Sequence, residues 1–252
     1  MTKATEVPRD IVRFNFSGRT VLVTGGTTGI GAAIARAYLD AGANVIVTGT
    51  RTAATNYDTA PPRGAAYRQF NLSEPSDAQS VAASLARLDI LVNNAGGATA
   101  PEDFAQAVET TLTAVHRLTT ALKPLLAKSD LPGGAAVVNI LSSMAFFGNS
   151  FFPGYSAAKA GLLLLTKSLA TGWSGDQIRV NAVAPGPVRT RMTARFADDP
   201  QYGPATAARM ALGRWGEPDD IAGPVLFLTS PAAGFITGEC LVVSGGYLIS
   251  ES

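Results

Sequence analysis

Cysteine and histidine are almost missing from this 252-residue chain, which has one of each, Cys240 and His116. A lone thiol excludes an internal disulfide, and one thiol with one imidazole makes no plausible zinc cluster, so no structural metal is expected. Charge is sparse too: Asp, Glu, Lys and Arg make up 15% of the residues, against roughly 25% in ordinary globular proteins. The signs balance, 20 basic against 19 acidic for a net charge of +1. That removes the basic surplus with which a general nucleic-acid binder neutralises phosphates. No apolar run approaches the ~20 residues of a membrane span; the oiliest stretch, Ala160 to Leu165, is far too short. Met1 to Arg13 is polar and mixed in charge, without the apolar run of a secretory signal. Apolar residues, by contrast, reach 46%, enough to bury a large core and to exclude a mostly disordered chain. The expectation is a soluble cytoplasmic protein that engages neither nucleic acid nor membrane.

Helical and extended patterns alternate along the chain. Thr20 to Thr24 is a short β-rich run that breaks into Gly25-Gly26-Thr27-Thr28-Gly29-Ile30-Gly31. Ile30, Ile34, Ala37 and Tyr38 then share one helical face until Gly42 stops the pattern. Further strands are expected at Val45–Val47, Ala66–Phe70, Ile90–Asn93, Ala136–Leu141, Arg179–Ala184 and Cys240–Val243. Helices are expected at Ser76–Leu88, Phe104–Leu126, Tyr155–Thr171 and around Asp219–Leu228. Short, unbroken apolar strands mean that both sheet faces are covered. Seven of them interleaved with helices predict an α/β fold, a doubly wound parallel seven-stranded sheet of Rossmann type with helices on both faces. No repeat or linker divides residues 1–252, so one domain is expected, with 190–215 as its irregular excursion.

A strand, a glycine-rich turn and a helix in that order form a dinucleotide cradle, because the helix N-terminus offers unpaired N–H groups and partial positive charge to a pyrophosphate. Here Gly25, Gly29 and Gly31 give a T-G-x3-G-x-G spacing. With it come Asn93-Asn94-Ala95-Gly96, Tyr155-x-x-x-Lys159, Asn181-Ala182-Val183-Ala184-Pro185-Gly186, Leu212-Gly213-Arg214-Trp215-Gly216-Glu217-Pro218 and Thr237-Gly238…Gly245-Gly246. In this order and spacing the chain resembles the short-chain dehydrogenases/reductases, in their single-domain branch of about 250 residues, from Ser17 to Tyr247. The resemblance implies an NAD(P)-dependent oxidoreductase.

Tyr155 and Lys159, four apart in a helical pattern, share one face. An ammonium about 4.5 Å from a phenol contributes on the order of 3–4 kcal/mol at an effective dielectric near 20. That would lower the tyrosine by roughly 2–3 pH units before desolvation subtracts some, as acid–base work at neutral pH requires. Ser142 ends a strand thirteen residues earlier, where open α/β sheets present ligands. By resemblance it positions the substrate oxygen, with Ser143 as the rival; spacing from Asn139 favours Ser142. The family's fourth catalytic residue, an asparagine that helps hold a water beside the lysine, falls on Thr111. This departure implies a weakened proton relay and reduced activity. His116 and Cys240 read as structural.

For the cofactor, the second strand ends Val47-Thr48-Gly49-Thr50-Arg51, with Gly49 where NAD-preferring relatives carry Asp. Without that acid, and with Arg51 able to pair with a 2′-phosphate, NADP is favoured over NAD; Arg51 as a solvated loop charge is the alternative. Thr27, Thr28, Ile30 and Thr50 complete that end. By resemblance Asn71 and Leu72 contact adenine, and Asn93, Ala95 and Gly96 line the adenosine ribose. Tyr155 and Lys159 meet the nicotinamide ribose, while Pro185, Gly186, Val188 and Thr190 hold the carboxamide.

Met144, Phe146, Phe147, Phe151 and Phe152 follow Ser142, and Met192, Phe196, Tyr202 and Met210 lie in the excursion. This density suggests a lipophilic ketone or secondary alcohol as the small-molecule substrate; closing the core or a subunit interface is the other use of such residues. The family's habit of association implies a homotetramer or homodimer, paired through Phe104–Leu126, Tyr155–Thr171 and the tail after Thr237. Two rivals are a catalytically silent dinucleotide-binding regulatory protein, which only Thr111 supports, and an epimerase or dehydratase, whose larger C-terminal domain has no counterpart here.

Overall fold

The computed structural model describes residues 13–249; apart from Arg13, the N-terminal stretch read above for a signal lies outside them. The chain alternates β1 (Thr20–Val23), α1 (Gly29–Asp40), β2 (Asn44–Gly49), β3 (Ala66–Gln69), α2 (Pro75–Ala83) and β4 (Ile90–Asn93). There follow α3 (Phe104–Val108), α4 (Ala114–Leu126), β5 (Ala135–Ile140), α5 (Pro153–Trp173) and β6 (Ile178–Pro185). Last come α6 (Ala194–Ala197), α7 (Tyr202–Ala208), α8 (Pro218–Thr229) and β7 (Cys240–Val243). All seven strands pair in parallel in the order β3-β2-β1-β4-β5-β6-β7. The order reverses between β1 and β4, so a crevice opens above the carboxyl ends of those strands, where α/β sheets take ligands.

Strand alternation sorts the core into layers. Val21, Val23, Ile90, Val92, Ala136 and Val138 pack on one face with Ile34 and Tyr38 of α1 and with Ile221 and Val225 of α8. Leu22, Leu91 and Val137 pack on the other with Val81 of α2, Leu118 and Leu122 of α4, and Trp173 of α5. Burying both faces excludes alternating polar residues, hence the unbroken apolar strands. No helix among the described residues is long and apolar enough to cross a membrane.

Four expectations need correction. The helix expected over Phe104–Leu126 is interrupted by a π turn at Glu109–Thr113, which packs against α5 so closely that a Cβ on Gly161 would stand 2.9 Å from Leu112 Cδ2. α2 ends at Ala83 instead of Leu88, because the Ser84 N–H and hydroxyl turn back onto the Val81 carbonyl. Residues 190–215 are not irregular but carry α6 and α7. Finally, β7 is a sheet edge, not covered on both faces: Leu241 and Val242 are 40% and 39% exposed, and Cys240 is half-buried against the Leu162, Ala182 and Ala184 cluster. His116 is exposed on α4, 3.4 Å from the Thr120 hydroxyl.

Candidate active site

The glycine turn between β1 and α1 is pressed against its neighbours. A Cβ on Gly26 would lie 2.6 Å from Val47 Cγ1, and one on Gly31 would lie 2.4 Å from both Asn94 Nδ2 and the Gly25 carbonyl. Only glycine lets the backbone run this close, and Gly25 and Gly29 also have φ of +62° and +56°. Asn94, which the sequence did not single out, fastens the turn. Its Nδ2 donates to the Thr24 and Gly25 carbonyls, while its N–H and that of Ala95 donate to the Thr24 hydroxyl at 2.9 and 3.0 Å. α1 has no side-chain cap at Thr28 and no acid in its first turn, so its N–H groups and dipole remain available to an anion. A cradle of bare backbone at a helix start fits a dinucleotide's pyrophosphate. Asn93 does not join it: its amide donates to Thr119 and Asn139 at 2.8 Å each, inside a buried polar ladder that continues from Asn139 to Thr166.

At the end of β2 the space beside Gly49 is filled by a residue that the sequence reading missed. A Cβ there would be 2.1 Å from the Tyr57 hydroxyl and 3.1 Å from Thr27 Cγ2. The Arg51 N–H donates to that hydroxyl at 3.3 Å, the Tyr67 hydroxyl lies 3.5 Å away, and Thr50 and Thr27 also bond it. The exposed Arg51 guanidinium lies 4.9 Å above the Tyr57 ring and 3.9 Å from the Asp58 carboxylate. Asn71 donates its backbone N–H to Asp77 and accepts the Ser73 N–H on its side-chain Oδ1, and Leu72 packs against the core.

Ser142, Tyr155 and Lys159 come together at the carboxyl end of β5. The Ser142 hydroxyl accepts the Met144 N–H at 3.2 Å and acts on the Tyr155 phenol to lower its pKa, whereas Ser143 is buried. Lys159 is buried, its Nζ donating to the Ile140 carbonyl at 2.6 Å. The expected effect of Lys159 on the phenol is corrected here. The ammonium stands 5.4 Å from the centre of the Tyr155 ring and points to Ile140, not to the phenol oxygen. Burial therefore dominates and pushes Tyr155 up to about 12, with Ser142 pulling the other way; the residue as a whole nevertheless stays partly accessible. Burial likewise brings Lys159 down to about 8. Thr111 is buried on the π turn with its hydroxyl unpartnered, as is that of Ser156 on α5.

A second residue missed by sequence is Glu102. Its two carboxylate oxygens accept the N–H groups of Gly154 and Tyr155 at 2.7 and 2.8 Å. α5 has no side-chain cap at Phe152 and no acid in its own first turn, so this carboxylate, 53 residues before Tyr155, caps α5 from outside.

The turn after β6 returns to the crevice. Gly186 donates to the Val243 carbonyl at 3.0 Å, and a Cβ on it would meet Ser244 at 2.8 Å. Val188 bridges to Gly216, and Thr190 stands beside Gly29, its Cγ2 3.5 Å from where a Cβ would be. Met192 reaches across to Gly97, whose Cβ would lie 2.5 Å from Met192 Cε. The pocket residues divide. Phe146 and Phe147, with Arg209, Tyr247 and Leu248, line a cavity of about 310 Å³, whereas Met210 is core and Phe196 packs on Tyr202.

Fold and crevice together define a nicotinamide-dependent α/β oxidoreductase, and comparison with known proteins agrees. A family model described as enoyl-(acyl carrier protein) reductase matches residues 25–248. The 3-oxoacyl-(acyl-carrier-protein) reductase FabG of Escherichia coli is 37% identical over 247 residues, covering 92% of this chain and 98% of that one. The 2-dehydro-3-deoxy-D-gluconate 5-dehydrogenase of Bacillus subtilis is 36% identical over 250 residues, covering 93% and 96%. The RhlG/NADP active-site complex of Pseudomonas aeruginosa matches with a TM-score of 0.81 at 33% identity, covering 93% and 98%. The chain belongs to the short-chain dehydrogenase/reductase family.

Proposed function

We propose that this protein uses NADP to interconvert a ketone and a secondary alcohol on a lipophilic small molecule, with Tyr155 as proton donor and acceptor. The observation that carries the reading is Tyr155 with Lys159 beside its ring and Ser142 acting on its phenol, at the strand ends that border the glycine turn. When bound, the dinucleotide supplies or takes up a hydride. In the reductive direction Ser142 orients the carbonyl oxygen and the Tyr155 hydroxyl gives it a proton. A phenol pushed up to about 12 keeps that proton at neutral pH until the oxygen becomes strongly basic. Gly25, Gly29, Gly31 and the start of α1 would hold the pyrophosphate, and Arg51 the 2′-phosphate. The NADP complex of the RhlG relative and the acid-free end of β2 support that cofactor choice. The reading holds catalysis to a single domain in the cytoplasm, and a homodimer or homotetramer paired through α4, α5 and the C-terminal strand. Exposed Leu164 on α5 and the open apolar edge of β7 support the association.

A panel of ketones and their alcohols, followed by NADPH absorbance, tests the activity. Tyr155→Phe is expected to lower kcat by about 10³-fold or more while NADPH still binds. Turnover by Tyr155→Phe at the rate of the unmutated protein would remove the proposed role.

A further inference from the structure

Five residues from three separated segments close on one cavity. Phe146 and Phe147 come from the turn after Ser142, Arg209 from the end of α7, and Tyr247 and Leu248 from the chain beyond β7. Its distance from the chemistry is short in chain terms. Ser142 caps the turn Ser143–Ala145, whose hydrogen bonds, Ala145 N–H to Ser142 and Phe146 N–H to Ser143, hold Phe146 at a fixed reach from the serine. Phe147 stacks obliquely on Tyr247 with ring centres 6.1 Å apart. Three aromatic rings and a leucine border an open depression of about 310 Å³ whose exposed lining is more polar than apolar.

One lining group carries a charge. The Arg209 guanidinium lies over the Tyr247 ring, 4.8 Å from its centre. Nearby, Arg189 is neutralised by Asp198 and Arg214 by both oxygens of Asp220, whereas Arg195 stacks on the Phe196 ring much as Arg209 does on Tyr247. Arg209 has no carboxylate within ion-pair distance among the described residues. Stacking on an aromatic face fixes the guanidinium plane while leaving its edge N–H groups free, the geometry that suits bidentate recognition of a carboxylate. The cavity offers one cation and no second basic residue, which matches a monoanion and not a phosphate dianion.

We infer that Arg209 is a substrate-recognition residue, and that the carbonyl compound taken by the cavity is an amphipathic oxo acid whose carboxylate meets Arg209 while its apolar body lies on Phe146, Phe147 and Tyr247. This deepens the reading of the chain as an NADP-dependent carbonyl reductase and rests on it for turnover, not for binding.

The test compares 4-acetylbenzoate and 4-oxodecanoate with their methyl esters in the unmutated protein, Arg209→Leu and Arg209→Lys. Each acid is expected to exceed its ester in kcat/KM by about tenfold or more, mostly through KM, the scale of a charge-assisted pair. Arg209→Leu should bring the ratio to about one, and Arg209→Lys should restore part of it. Equal handling of acid and ester by the unmutated protein, or a preference that survives Arg209→Leu, would overturn the assignment. Calorimetry of 4-acetylbenzoate binding to the NADPH-loaded protein decides the inference without turnover. Binding that Arg209→Leu weakens about tenfold or more upholds it, and absent or unchanged binding rejects it. Acid binding without reduction of any ketone would instead defeat the reductase reading alone.

Discussion

Lys159 holds an ammonium in an apolar setting with one hydrogen bond, to the Ile140 carbonyl, and burial lowers its pKa from 10.5 to about 8. In the unfolded chain it titrates at its ordinary value. Between about pH 8 and 10.5 the unfolded state therefore keeps a proton that the native state has released, so this residue's contribution to stability rises with pH through that window. At ~1.4 kcal/mol per pH unit, the full displacement is worth about 3 kcal/mol, of which about 2 kcal/mol is recovered between pH 7 and pH 9.5. Tyr155 works the other way. Its pKa is raised to about 12, so its share of stability is intact below the unfolded value near 10 and is lost only above it. Lys159→Met keeps much of the side-chain volume and removes the titration. Urea unfolding of both proteins without cofactor, at pH 7 and pH 9.5, isolates the term, because every other group cancels in the difference. The unmutated protein should gain about 2 kcal/mol on the variant at the higher pH, or about 4–8 °C in melting temperature. A gap that stays constant within about 0.5 kcal/mol would show that the ammonium is not desolvated, and the explanation of its lowered pKa would fail.

The parallel sheet is legible because burial on both faces writes itself into unbroken strands such as Val21 to Val23 and Ile90 to Val92. The glycine turn is legible because each of its close approaches forbids a Cβ. The π turn at Glu109–Thr113 is not: it contains no glycine or proline and accompanies close packing of Leu112 on α5. The four-residue spacing of Tyr155 and Lys159 rightly puts them on one helical face, yet spacing says nothing about where the ammonium turns. Burial raises the tyrosine while the ammonium turns to the Ile140 carbonyl, so the expected direction of the shift is reversed. Asn93 shows a similar limit, since a polar residue at a strand end reads equally well as a ligand contact or as a rung in a buried ladder. Glu102 and Tyr57 act at places set by loop return. A carboxylate capping a helix 52 residues away leaves no local pattern, and only the missing side chain at Gly49 marks the space that Tyr57 fills.

Glu102→Ala uncaps α5 at Gly154 and Tyr155 and should cost about 1–3 kcal/mol of unfolding free energy. Glu102→Gln, which keeps one acceptor, should lose less, and kcat should fall in the same order; equal stability of all three proteins would contradict this. The argument for Tyr57 turns on its hydroxyl, which sits among Thr27, Thr50, Tyr67 and the Arg51 N–H, while its ring supports the Arg51 guanidinium. Such a donor-rich corner suits a phosphomonoester and has no use for a bare ribose hydroxyl. Tyr57→Phe keeps the ring and removes only the hydroxyl, so the dissociation constant for NADPH, from fluorescence titration, should rise about tenfold while that for NADH holds. Gly49→Ala approaches the same corner from the other side, because its Cβ would come within 2.1 Å of the phenol oxygen and displace it; it should weaken NADPH in the same sense. Loss of both cofactors in parallel would mean that Tyr57 only shapes the loop, and an unchanged NADPH constant in both variants would leave Arg51 as the sole reader of the phosphate.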